Sequence, residues 1–347
     1  FPSTAAIYKQ HDTELSAEEL TLKRSLENYQ KAVHIQKQDP KNIENELDDL
    51  QKSYINLGYW EEACQIEQCK CQTYFEMNTD EYADSIHAQG KFCLRQEDFE
   101  NSKRLYNQAL EYFTESGNSV QQGHVMISLA GWHFFRNELE EALRYLNEAE
   151  TLLDSNPSLL VKCLDNQGLI HRLWGEFDMA LDKYQQALQV VVDDTTRWAL
   201  QMHVADMLMA LEESTEALET YQELLRELSI ADQREKELGM QGVLWHNIAN
   251  IHVEQGEYDL ALEEFRRALE MKQKAGGEHN PEVAKTLNSL GALHAGIFDE
   301  KLQALDCFQK ALLIARIHAD GDPQTDPDVL SALQNIATME RELQGER

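Results

Sequence analysis

One short pattern recurs along this chain: an apolar stripe of helical period, a tight turn, and a second stripe. It is plainest in Gly242–Leu269. Trp245, Ile248, Ala249 and His252 stand three or four apart and so share one helix face. Gln255-Gly256-Glu257 breaks the period where a left-handed residue is needed, which glycine supplies without a Cβ clash. Tyr258, Ala261, Phe265 and Ala268 form the second stripe. Neither helix can bury its stripe alone, and the hairpin also needs a neighbouring hairpin. The chain is therefore expected to fold as an all-α array.

The rest of the sequence supplies the neighbours. Leu50, Tyr54 and Leu57 lead through Gly58-Tyr59-Trp60 to Ala63 and Ile66. Gly90 and Cys93 lead past Phe99 to Leu105, Tyr106 and Ala109. Leu129, Ala130 and His133 lead to Ala142, Leu146 and Ala149. Gly168 and His171 lead through Gly175-Glu176-Phe177 to Ala180, Tyr184 and Ala187. Val204, Ala205 and Leu208 lead to Ala217, Tyr221 and Leu224. After the unit at Gly242, Leu290, Gly291 and His294 lead to Ala304, Phe308 and Ala311. The small residues at Gly90, Ala130, Gly168, Ala205, Ala249 and Gly291 are expected where helix backbones approach closely. The large aromatics are expected to fill the gaps between units.

These units resemble the tetratricopeptide repeat. Trp245, Gly256, Tyr258, Ala261, Phe265 and Ala268 match its marks nearly in full, and Gly168, Gly175, Phe177, Ala180, Tyr184 and Ala187 nearly as well. The resemblance implies a right-handed α-solenoid. Its parts would be an arm at 1–15, a helix of a degenerate repeat at 16–40, about seven repeats over 44–315, and a capping helix at 326–347. The first alanines of the second helices, Ala142, Ala180, Ala217, Ala261 and Ala304, are spaced by 38, 37, 44 and 43 residues. The common repeat has about 34. The connector from Gly276 to Leu290, with Asn280-Pro281, is similar to that of the kinesin-light-chain-like subtype of about 42 residues. The unit at Leu290–Ala304 carries one extra residue near Gly296-Ile297-Phe298, so a local bulge is expected there.

Composition narrows the function. The 347 residues carry a formal net charge of −31, which argues against nucleic acid and anionic membranes as main partners. No apolar run approaches the ~18 residues of a membrane span. The six cysteines are unevenly spaced and read as free thiols of a reducing, intracellular compartment. The expected locations are the cytoplasm, or an organelle lumen or stroma after removal of a presequence. The first residue is Phe1 rather than Met, which leaves two readings open: a removed targeting segment, or a fragment of a longer chain. Cys64, Cys69 and Cys71 lack a paired CxxC, and Cys69 points away from the other two on a helix, so packing is preferred to metal. His133, His171, His252 and His294 recur a whole repeat apart, which suits packing rather than a catalytic cluster. No phosphate loop, nucleophile elbow or HExxH motif is present.

The resemblance implies that the first helices line a concave groove. The slot before the leucine position there holds Asn166, Asn247 and Asn335, with Asn250 nearby and Ser128, His203 and Ser289 in the remaining units. Such amides can bond the backbone of an extended peptide or tie neighbouring helices. Lys91, Arg95, Lys162, Arg172, Lys285 and Arg341 are further candidates in so acidic a chain, though Asp84, Asp165, Asp206 and Glu254 project to the same side. His124, Ile127, Phe134 and Phe135 form an aromatic patch suited to anchoring a partner, or to contact with the next unit. His246 with Asn247, and Asp165 with Asn166, lack the lysine of the subgroup that clamps chaperone tails. The expectation is a non-catalytic adaptor without cofactor or metal, binding a partner peptide or helix in the groove. The alternative is a permanent subunit of a larger assembly; a homo-oligomer is left open.

Overall fold

In the computed structural model the described residues are 40–57, 59, 62–63, 66–67, 80–230, 235–319 and 326–345. The arm at 1–15, the helix expected from 16, the Gly58 and Trp60 positions and the Cys64, Cys69 and Cys71 group lie outside them. The described residues form α1 (Pro40–Asn56), α2 (Asp80–Arg95), α3 (Phe99–Ser116), α4 (Ser119–Phe135), α5 (Leu139–Glu150), α6 (Pro157–Leu173) and α7 (Phe177–Val190). Then come α8 (Asp194–Ala210), α9 (Ser214–Ile230), α10 (Glu235–Glu254), α11 (Tyr258–Gly276), α12 (Pro281–Gly296), α13 (Lys301–His318) and α14 (Pro327–Gly345). No strand occurs among the described residues.

The chain divides into two compact units. The first holds α1 to α6 and residues 189–192; the second holds residues 175–188 and 193–347. In the first, α2 to α6 each pack on the next, and α4 also packs directly on both α2 and α6. First helices of successive hairpins therefore lie side by side on one face. In the second unit α8 to α14 likewise pack each on the next. Both are stacked helical hairpins of the α-solenoid kind.

The repeated slots have clear roles. Ala109, Ala142, Ala180, Ala217, Ala261 and Ala304 are completely buried, as are the rings of Tyr106, Tyr184, Tyr221 and Phe265. At Gly90 and Gly291 the close neighbour is mainly an aromatic ring rather than a helix backbone. A Cβ built there would stand 2.6 Å from the ring of Tyr106 or of Phe308. The small residue makes room for the aromatic of its own hairpin.

Among the described residues the hairpin turns pass through a left-handed residue: Glu97, Asn137, Gly175, Glu212, Gly256 and Asp299 all have positive φ. Only two of these are glycines. The turn is closed by backbone bonds of one spacing: Asp98 N–H to Cys93 O, Glu138 to His133, Glu213 to Leu208 and Glu257 to His252. In the unit at Leu290 the bond runs from Glu300 to His294, one residue longer, as the sequence predicts. Three of the four recurrent histidines are tied to a glutamate of their own hairpin. His133 Nδ1 donates to Glu138 Oε2 (2.7 Å), His252 to Glu264 (2.6 Å) and His294 to Glu300 (2.6 Å). Two connectors use the same device: Asn156 caps α6 and Asn280 caps α12, each followed by proline at the first helical position.

Candidate functional site

On the first unit's inner face, three successive first helices send polar groups to one place. Lys91 on α2 donates from Nζ to Nε2 of His124 on α4, at 3.1 Å. His124 Nε2 must then be the acceptor, so its proton sits on Nδ1, 3.3 Å from Gln121 Oε1. One turn earlier on α2, His87 Nε2 bonds Ser128 Oγ of α4 at 2.8 Å, and its ring meets that of His124 edge-on at 4.6 Å. Lys162 on α6 lies close enough to repel both Lys91 and His124.

The electrostatics follow from burial and like charge. Burial, then repulsion from Lys162, pulls Lys91 down to about 8. Burial, then Lys91, holds His124 down at about 4 and His87 at about 2, so both rings are neutral at pH 7. Burial, with Asp80 and Glu81 beside it, pushes the Asp84 carboxyl up to about 6.

Of the aromatic patch, Ile127 and Phe134 pack against the apolar cluster of α4, α5 and α6. Phe135 stands 71% exposed, and Leu173, in the same register on α6, 54%. Arg95 holds that register on α2 and is exposed; Lys162 is exposed, and Asn166 and Arg172 are half-buried on α6. A separate open hollow of about 650 Å³ lies along α5, lined by Met126, Leu143, Leu152 and Trp174 with Glu140 and Arg144 at its rim. It contains none of the expected groove residues.

In the second unit Asn247 Nδ2 reaches Asp206 Oδ1 at 3.4 Å and Tyr221 Oη at 3.3 Å, and the Tyr221 hydroxyl donates to Asp206 at 2.5 Å. Its amide thus ties α8, α9 and α10 together. Burial, then Asp206, drives the Tyr221 phenol well above its usual range. His246 Nδ1 bonds Thr286 Oγ1 of α12 at 3.3 Å. Lys285 is exposed and ion-paired with Glu282 at 2.6 Å. Asn250 and Asn335 are half-buried and join neither cluster. Among the expected residues, then, Lys91 and His124 are bonded to each other, with Lys162 acting on them only through its charge. His87 was missed, although a histidine one turn from Lys91 and three before Gly90 was a readable signal.

Among the described residues no group of three or more His, Cys, Asp or Glu is placed to hold a metal ion, and no helix is long and apolar enough to cross a membrane. Models described as tetratricopeptide repeat match residues 81–155, 241–317 and 164–197, together just over half the chain. No curated protein matches the sequence. Among solved structures, the apo form of RapI is 18% identical at a TM-score of 0.63, over 84% of this chain and 85% of that one. The apo quorum sensor NprR from B. thuringiensis is 13% identical at 0.58, over 84% and 80%. The signal-transduction ATPase PH0952 from Pyrococcus horikoshii, with its tetratricopeptide repeat sensor, is 12% identical at 0.56, over 96% of this chain and 55% of that one. At these identities the likeness is one of fold.

Proposed function

This chain belongs to the tetratricopeptide-repeat family, generally a non-catalytic protein-interaction fold, and from that premise we propose that it is an adaptor. Its first unit would take an extended segment or helix of a partner protein on the face lined by α2, α4 and α6. The observation that carries the reading is the composition of that face. Lys91 of α2 and His124 of α4 are bonded on that face, and Phe135 and Leu173, at the C-terminal ends of α4 and α6, are large apolar groups left exposed. Stacked repeats present such surfaces broadly, and exposed aromatic anchors are where partner binding concentrates. The test is partner capture by immobilised protein. Phe135→Ala and Leu173→Ala should abolish retention of the partner that Glu111→Ala, on the exposed side of α3, retains; equal retention by all three refutes the reading.

One observation favours a second reading, a subunit of a larger assembly. Leu302, Leu313 and Ile317 on α13 and Leu330 on α14 are all exposed. A bare apolar face of that kind suits a permanent contact. Sedimentation velocity decides it: a sole monomer at tens of micromolar removes self-assembly, whereas a dimer lost in Leu313→Glu supports it.

A further inference from the structure

We propose that α14 of one copy of this chain is completed by residues 16–38 of a second copy, docked head to tail as the second helix of its repeat. The proposal rests on the reading of the chain as a subunit of an assembly and names the segment that makes the contact.

In the second unit each first helix before α14 is covered by the helix that follows it. In the hairpin α12–α13 the ring of Phe308 lies over Gly291, and Leu287 is buried with Ala311 and Ile314. In α10–α11, His252 bonds Glu264, the residue before Phe265. α14 carries the same slots in the same order: Leu333 for Leu287, Ala337 for Gly291, and Glu340 where α10 has His252. It packs on α13 through Val329, Ala332, Ile336 and Met339. Its other face is bare among the described residues. Leu333 is 38% exposed where Leu287 is 5%, and Leu330 is 48% exposed. A repeat hides its apolar stripe only when a neighbour packs on it.

The counterpart is written in the sequence of residues 16–38, which lie outside the described residues. Second helices carry a small residue, an aromatic four positions on and an alanine three after that: Ser102, Tyr106 and Ala109 in α3, or Ala180, Tyr184 and Ala187 in α7. Ser25, Tyr29 and Ala32 repeat that spacing, while residues 1–15 show no helical period that would serve as their first helix. In the register of α13, Tyr29 falls on Ala337, and Ala32 and Ile35 fall on Leu333. Asn28 then faces Glu340, to which its amide can donate. Tyrosine with alanine in these slots has a precedent in α8 and α9, where Ala205 and Tyr221 are both buried. Charge agrees: residues 16–38 hold four Lys and Arg against three Glu in a chain of net charge −31, and α14 holds three acids against one arginine. A helix over 16–38 would run about 34 Å, enough to cover the roughly 28 Å of α14. The contact is heterologous, so it continues into a ring or an open chain of copies.

Sedimentation velocity on the full chain tests this. The wild type should associate as its concentration rises to tens of micromolar. Tyr29→Glu spoils the segment and Leu333→Glu charges the α14 face, and each should raise the concentration of half-association at least tenfold. Mixed one to one, the two variants should form a dimer and stop there, because only one intact segment and one intact face remain to meet. A peptide of residues 16–38 in excess should break wild-type assemblies down to monomers, and the same peptide with Tyr29→Glu should not; that arm depends on no variant folding. A monomeric wild type, whether the segment docks within its own chain or another protein holds the face, overturns the proposal. So does a mixture that stays monomeric, or a peptide without effect. Association that survives both substitutions and is lost in Leu313→Glu overturns it and leaves the assembly reading standing.

Discussion

At Gly291 a missing methyl group is a packing requirement. The ring of Phe308 occupies the space that a Cβ would need, 2.6 Å away at its nearest atom. Gly291→Ala should cost about 1–3 kcal/mol, since overpacking forces a buried ring off its place. Denaturant melts read this directly, and an unchanged midpoint would refute the packing. The opposite sign is expected at Glu212, which sits at φ 64. A left-handed L-residue costs about 1–2 kcal/mol, and glycine gives part of that back through its flexibility in the unfolded chain, about 0.5–1 kcal/mol. Glu212→Gly should therefore raise the midpoint slightly, and a fall would show that the Glu212 side chain contributes more than its strain. Asp84 adds a pH signature. Its carboxyl is raised from 3.8 to about 6, so the folded state binds the proton more tightly than the unfolded state. The ionised form is thus a net burden above pH 6, relieved as pH falls toward 4. Asp84→Asn should stabilise at pH 7.5 by roughly 1 kcal/mol after allowing for solvent screening, and by nothing near pH 4. A gain that did not depend on pH would point to packing instead.

At the scale of helices and turns, the apolar stripes were legible because burial repeats every three or four residues, whatever packs on the other side. The turns at Gly175 and Gly256 were legible for the same local reason, and so was the extra residue before Glu300. The equivalent turns at Glu97, Asn137, Glu212 and Asp299 carry no glycine at the left-handed position and could be placed only by register with their neighbours. The polar contacts were less legible. His87 meets Ser128, and Asn247 meets Asp206, each across 41 residues of sequence. Such pairs depend on the repeat spacing to within one position and on which way each helix is rolled, which composition does not encode. The groove expectation for Asn247 could not foresee that Tyr221, from a second helix, would share its amide. The connector caps are local and testable. Asn280→Ala removes the acceptor for the Glu282 N–H and should cost about 1 kcal/mol. Asn280→Asp should keep most of that stability.

Taken whole, the chain combines a net charge of −31 with a small cationic locus on one face. Long-range repulsion of acidic molecules is the expected effect of that charge. The central claim is that partners are held on the face lined by α2, α4 and α6. The most direct measurement is site-specific photo-crosslinking with a benzophenone side chain at Phe135, compared with the same group at Glu111, in cells of the native source. The account predicts one protein crosslinked from position 135 and not from 111, and lost when Leu173→Ala is added. The same protein crosslinked from 111 and not from 135 would contradict it.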